Sequence, residues 1–138
     1  MTAGATDQSA AALLARLAPR LQPGAFVFAS LADPALAARA APRAIATMRE
    51  DEGLSVILPL DAATALGIAP AAPMRLITLG VDSALDAVGL TAAVSTALAA
   101  AGIPCNMVAG FHHDHIFIPE GTSDAAMTVL RALQKGAA

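Results

Sequence analysis

Two prolines three residues apart interrupt the chain near its middle. The stretch Ala69-Pro70-Ala71-Ala72-Pro73 breaks both helical and strand hydrogen bonding, because proline has no backbone N–H and fixes its own φ angle. In a chain of 138 residues, each half then falls near the lower limit of domain size. We therefore expect two units, residues 1–70 and 71–138.

The second half shows the clearer succession of elements. Its pattern predicts a strand over 74–81, a helix over 87–101, strands over 103–109 and 114–118, and a helix capped by Thr122 or Ser123. Within 87–101, the side chains of Leu90, Val94 and Leu98 lie on one helical stripe. This half therefore reads β-α-β-β-α.

The first half has a similar but weaker pattern. It predicts a helix from Asp7 or Ser9 to about Ala18, a strand over 25–31, two helical turns after Asp33, strands over 44–49 and 54–58, and a short helix capped by Asp61. The expected fold class is α+β: two fused ferredoxin-like βαββαβ sandwiches with antiparallel sheets. Each sheet would expose an apolar face, so we expect pairing within the chain or a homodimer.

Charge and composition exclude several partners. The net charge is −3 and the eight Lys and Arg residues are scattered singly, so no basic surface is expected for nucleic acid or anionic lipid. Alanine supplies about a quarter of the residues, and no stretch of about 18 strongly apolar residues is present. We expect a soluble, cytoplasmic protein that binds neither nucleic acid nor a membrane.

Catalytic motifs are missing from the sequence. There is no G-x-S-x-G nucleophile turn and no glycine-rich phosphate loop. The single cysteine, Cys105, lies in an apolar run, which favours a small core residue over a reactive thiol. We therefore expect a protein that is not an enzyme and needs no cofactor.

The segment from Asp82 to Gly89 precedes the predicted second-half helix. Free N–H groups and the positive end of the helix dipole suit an anion there, such as the carboxylate of an amino acid. Gly89 would let a ligand approach the backbone closely. An alternative stays open, in which Asp82 and Asp86 cap the helix and Gly89 serves packing alone.

Several stretches resemble the ACT domain, a small regulatory module that binds amino acids. They are Ser83–Ser95, Ala101–Gly110, His113–Pro119 and, upstream, Met48–Pro59. The resemblance is to the stand-alone bacterial ACT proteins catalogued as a domain of unknown function, and more distantly to the arginine-sensing ACT proteins. It implies a ligand held where one unit meets another, between the first loop and the start of the following helix.

The resemblance also implies which residues hold the ligand. The loop and helix positions that match are Asp82, Ser83, Ala84, Leu85, Val88, Gly89 and Leu90. Asp114 matches an acidic hairpin position of the arginine-sensing proteins, where it would pair with the ligand's ammonium or guanidinium group.

All three histidines of the chain lie beside Asp114. His113 and His115 would share one face of a strand, with Asp114 on the other. The strand face supplies at most two metal ligands, with His112 from the turn as a third, so we expect no metal site. The histidines, together with Asn106, are instead candidates for interface or secondary ligand contacts, and solvent-facing histidines are the alternative.

The sequence thus predicts a non-catalytic, amino-acid-binding regulatory ACT protein that acts as a homodimer. Its partner would be an unidentified metabolic enzyme or transporter. The alternative is a structural or interaction protein that dimerises through ACT-like units without a ligand.

Overall fold

The computed structural model describes residues 6–69 and 71–136, and Pro70 of the predicted linker lies outside the described residues. The helices are α1 (Ala10–Ala15), α2 (Pro34–Ala40), α3 (Leu60–Ala65), α4 (Leu90–Ala100) and α5 (Ser123–Gln134). The strands are β1 (Pro19–Leu21), β2 (Phe26–Leu31), β3 (Ala46–Glu50), β4 (Gly53–Pro59), β5 (Met74–Leu79), β6 (Asn106–Ala109) and β7 (Asp114–Pro119). In the described ranges, every helix is too short or too polar to cross a bilayer.

The chain forms two compact units. The central unit runs from Pro23 to Arg75, and the split unit combines the residues up to Gln22 with those from Leu76 onward. The expected boundary at residues 70/71 keeps the N-terminal segment with the first half. The structure instead groups that segment with the C-terminal residues, because β1 pairs with β5.

The central unit has the order β-α-β-β-α that its sequence predicts. Its antiparallel strands lie in the order β3, β4, β2, and Met74 at the start of β5 pairs with Phe26. Asp33 caps α2 through a hydrogen bond that its carboxylate accepts from the N–H of Ala35. The core of this unit consists of Val27, Leu31, Ala40, Val56, Leu58, Ala62, Ala63 and Ile68.

In the split unit, β5 lies between β1 and β7, and β7 pairs with β6. Pro19 stands opposite Leu79 and Leu21 opposite Ile77. The N–H of Gln22 donates to a carbonyl of β5 at 2.8 Å, which extends the pairing by one residue. A strand from the N-terminal segment therefore completes a sheet built mainly from the C-terminal residues.

Three helices cover one face of this sheet. The predicted stripe of Leu90, Val94 and Leu98 is buried, as are Leu13 and Leu17 of the N-terminal segment. The other buried residues of this core are Ile77, Leu79, Val81, Ile103, Ile116, Ile118, Ala126, Met127 and Leu130. The predicted ferredoxin-like fold, with helices against one face of an antiparallel sheet, is confirmed.

Several element boundaries differ from the sequence predictions. The strand β1 was not predicted, since three residues that begin with a proline show no periodicity. Helix α4 begins at Leu90, three residues later than expected. Thr122 is the N-cap residue of α5, as predicted, but its hydroxyl donates to the carbonyl of Pro119 at 2.7 Å and makes no capping hydrogen bond to the helix.

Replacing Leu17 tests whether the N-terminal segment belongs to the split-unit core. Leu17 is fully buried there, so Leu17→Ala should lower the free energy of unfolding by about 2–5 kcal/mol. The control, Met48→Ala, truncates an apolar side chain of β3 that is 67% exposed and should change stability by less than about 0.5 kcal/mol. Denaturant titration measures both, and equal losses would contradict the assignment.

Candidate functional site

A small cavity lies in the split unit where the loop after β5 enters α4. Its volume is about 110 Å³. The lining residues are Ser83, Ala84, Leu85, Ala87, Leu90, Thr91, Ala109 and Asp114. Five residues that the sequence predicted for the ligand site therefore come together here.

Glycine at position 89 leaves the start of α4 without a side-chain cap. Gly89 is the N-cap residue, its φ is 104°, and no side-chain hydrogen bond caps the helix. The first N–H groups of an α-helix have no partner within the helix, and they carry the positive end of its dipole. Leu90 and Thr91 of this first turn line the cavity, so that wall favours negative charge.

Asp114 brings a carboxylate to the same cavity. It is the first residue of β7, and strand alternation places it on the face that carries Ile116 and Ile118 of the core. The hydroxyl of Ser83 donates to Asp114 Oδ2 at 3.2 Å. This hydrogen bond joins the loop to the hairpin and orients the carboxylate.

Three predicted site residues do not line the cavity. Asp82 Oδ2 lies 3.7 Å from His112 Nδ1, and both side chains are exposed. Val88 is 83% exposed. A Cβ on Gly89 would lie 2.9 Å from the Cβ of Ala10, so the side of Gly89 where a side chain would stand is packed against the first residue of α1.

The remaining candidates make contacts within the protein. His113 Nδ1 donates to the carbonyl of Val81 at 3.2 Å, and Asn106 Nδ2 donates to that of Phe117 at 3.4 Å. In the described part of the chain, no three His, Cys, Asp or Glu side chains are grouped so as to hold a metal ion. An interface or secondary ligand role for these residues stays a prediction.

His115 lies in a polar cluster on the sheet face opposite the helices. Its Nδ1 is 3.0 Å from the hydroxyl oxygen of Thr78, which also accepts a hydrogen bond from Gln22 Nε2 at 3.0 Å. Burial lowers the pKa of His115, and the nearby His113 lowers it further, while Asp114 acts in the opposite direction. Through side chains, the cluster connects Gln22, the residue that follows β1, with β5 and β7.

Cys105 packs against the split-unit core and is half-buried. Burial raises the pKa of its thiol. A raised pKa disfavours the nucleophilic thiolate, which agrees with the interpretation of Cys105 as a small core residue.

Two polar residues at this site were not found from the sequence. Gln8 Oε1 accepts a hydrogen bond from the N–H of Ala84 at 2.9 Å, across 76 positions of the chain. Thr91 lines the cavity. Thr91 could have been identified as a hydroxyl in the first turn after the loop, whereas no sequence pattern pointed to Gln8.

Comparisons with known proteins place these features in a family. Two ACT domain models match the chain, one over residues 6–75 and the other over 72–132. None of the curated proteins compared with the chain matches it.

Solved structures of similar proteins extend over most of the chain. A Vibrio cholerae protein of unknown function, described as a possible transport protein, is 38% identical, with 88% of this chain and 93% of that chain covered and a TM-score of 0.77. A protein from Agrobacterium tumefaciens is 20% identical, with 86% and 90% covered and a TM-score of 0.63. The regulatory subunit of aspartate kinase from Thermus flavus is 13% identical, with 84% and 96% covered and a TM-score of 0.54. The last two show a shared fold.

The lowered pKa of His115 predicts a loss of stability in mild acid. Since the unfolded chain binds the proton more readily, the stabilisation is complete above the usual histidine pKa of about 6.5. It is lost as the pH falls from there through the lower pKa of the folded state. His115→Gln, which cannot titrate, should lose less stability between about pH 7.5 and about pH 5. Denaturation midpoints at both pH values measure this, and equal losses in variant and wild type would refute it.

Proposed function

The chain belongs to the ACT domain family, and from this premise we propose that it is a regulatory protein whose ligand is a small amino acid. The observation that carries the proposal is the cavity that joins Asp114 to the first turn of α4. It combines an anionic side chain with a helix N-terminus, which are the two groups that a zwitterion requires.

Each end of an amino acid has a partner in this arrangement. The ammonium group would pair with Asp114, which Ser83 holds in place through its hydroxyl. The carboxylate would face the N–H groups at the start of α4, where Gly89 supplies no competing cap. Thr91 also lines the cavity, and its hydroxyl, which donates to Met107 Sδ at 3.4 Å, keeps an oxygen that could accept from the ammonium group.

The size of the cavity favours a short side chain. About 110 Å³ is well below the roughly 300–1,000 Å³ of pockets for drug-sized ligands. Glycine, alanine and serine are therefore the proposed ligand class. A long cationic side chain, such as that of arginine, would need the loop to move.

The proposed role is regulation without catalysis. Binding would favour one arrangement of the loop and α4, and any partner that distinguishes the arrangements would respond to the ligand. A metabolic enzyme or a transporter stays the expected partner. The non-catalytic part of the proposal agrees with a cavity whose polar side chains are one carboxylate and two hydroxyl groups, Asp114, Ser83 and Thr91.

We also propose a homodimer. Three large apolar side chains of the split unit, Leu85, Val88 and Phe111, are 69%, 83% and 77% exposed. Leu85 also lines the cavity. Exposed apolar surface beside a ligand site is typical of protein contact surfaces, so a second copy that covered Leu85 would shield the ligand from water.

A thermal-shift screen with the twenty amino acids tests the proposed ligand class. At 100 times its dissociation constant, a ligand should stabilise the fold by about 2.7 kcal/mol. Asp114→Ala should abolish the shift because it removes the partner of the ammonium group. Asp86→Ala is the matched control, since Asp86 is exposed in the same loop and is not among the cavity-lining residues.

The outcomes separate the two candidate roles. A shift with small amino acids that is lost in Asp114→Ala and kept in Asp86→Ala supports the regulatory function. If none of the twenty shifts the wild type at millimolar concentration, the protein is better explained as an interaction module that needs no ligand.

Light scattering tests the proposed homodimer. At tens of micromolar the wild type should have twice the mass of the 138-residue chain. Replacing Phe111 by Ser should shift the mass toward that of the monomer, because it removes apolar surface that is exposed in the single chain. A monomer mass for the wild type would reject the dimer.

A further inference from the structure

The side chain of Gln8 accepts a hydrogen bond from a backbone N–H of the loop at the candidate site. Its carboxamide oxygen, Oε1, accepts from the N–H of Ala84 at 2.9 Å. Ala84 lines the cavity beside Ser83 and Leu85. The backbone donor of a cavity-lining residue is therefore bound to the protein's own N-terminal segment, through a side chain that is not itself among the lining residues.

Short-range contacts hold this segment in place. The N–H of Ser9 donates to the carboxylate of Asp7 at 2.8 Å, and Arg16 Nη2 donates to the Asp7 carbonyl at 2.7 Å. Ala10 packs against Gly89, where even a single added Cβ would lie 2.9 Å from it. Gln8 is thus placed over the loop by a structured turn before α1.

The carboxamide oxygen of Gln8 is chemically similar to a carboxylate oxygen. Both are sp² acceptors of a backbone N–H, and the carboxylate accepts the stronger, charge-assisted bond. A ligand carboxylate that reached the Ala84 N–H would have to displace Gln8, because one N–H makes one good hydrogen bond.

We propose that Gln8 is a built-in competitor of the ligand carboxylate, and that ligand binding releases the segment before α1 from the loop. This inference rests on the amino-acid-binding function proposed above. The position of the N-terminal segment would then depend on whether a ligand occupies the cavity.

Calorimetric titration with glycine, L-alanine and L-serine tests the competition. Gln8→Ala removes the competing acceptor, so any of the three that binds the wild type should bind the variant roughly 2- to 12-fold more tightly, the range expected from one hydrogen bond. Gln8→Glu places a charged acceptor at the same position and should weaken binding. Opposite effects at one position cannot result from general unfolding.

Gln134→Ala is the matched control. The carboxamide of Gln134 also binds the N-terminal segment, but at the far end of α1, where it accepts from the N–H of Ala18 at 2.9 Å and donates to the carbonyl of Ala15 at 3.3 Å. If Gln134→Ala tightens binding as much as Gln8→Ala does, then loosening of α1 explains the effect, and the competitor role is wrong.

A second measurement needs no ligand. In Gln8→Ala the N–H of Ala84 should exchange with solvent faster than in the wild type, as followed by NMR. Unchanged exchange overturns the inference. Unchanged affinity in Gln8→Ala, with clear binding by the wild type, also overturns it and leaves the proposed function standing. If neither protein binds any of the three amino acids, the proposed function fails and the competitor role fails with it.

Discussion

The pairing of β1 with β5 is the contact on which the split unit depends. Three residues, Pro19 to Leu21, cover an edge of a strand that begins 55 residues later, at Met74. An uncovered edge would expose unpaired N–H and C=O groups. The same pairing brings Leu13 and Leu17 into the core and sets the start of α1 beside the loop before α4. The left-handed residue Ala18, with φ 47°, makes the sharp turn between helix and strand, and Gln134 binds its N–H.

The candidate site results from two features of local structure that meet at the cavity: side-chain alternation along β7 and the N-terminus of α4. Strand alternation directs Asp114 to the core face at the place where β7 begins, before the buried residues Ile116 and Ile118. Leu90 and Thr91 at the N-terminus of α4 line the same cavity as this carboxylate, so the positive end of the helix dipole lies on one wall and the acidic side chain on another. Ser83 gives this charged group at the edge of an apolar core a hydrogen bond.

Sequence periodicity was sufficient to predict the elements whose buried side chains recur at a regular spacing. The stripe Leu90, Val94, Leu98 predicted α4, and alternation predicted the side of β7 on which Asp114 lies. It failed for β1 and for Gln8, because both are fixed by contacts between residues far apart in the chain. A three-residue strand has no period to detect, and a glutamine before a helix carries no local sign of a distant partner. Five of the residues that line the cavity were among those predicted for a ligand site. The contact of Ala10 with Gly89 could not be predicted, since it is a packing contact between two helix starts.

The N-terminal segment links the fold of the split unit to its proposed ligand. A ligand changes a conformational equilibrium only by as much as its affinity differs between the two states. Under the proposed competition, the bond from Ala84 to Gln8 would supply such a difference, because a ligand carboxylate at that N–H would replace it. The contacts of Asp7, Ser9 and Arg16 tie the residues around Gln8 to α1, so loss of the Gln8 bond would detach this turn from the loop while the turn stays attached to the helix. A cavity of about 110 Å³ would in this way control a segment that begins α1 and contacts the start of α4.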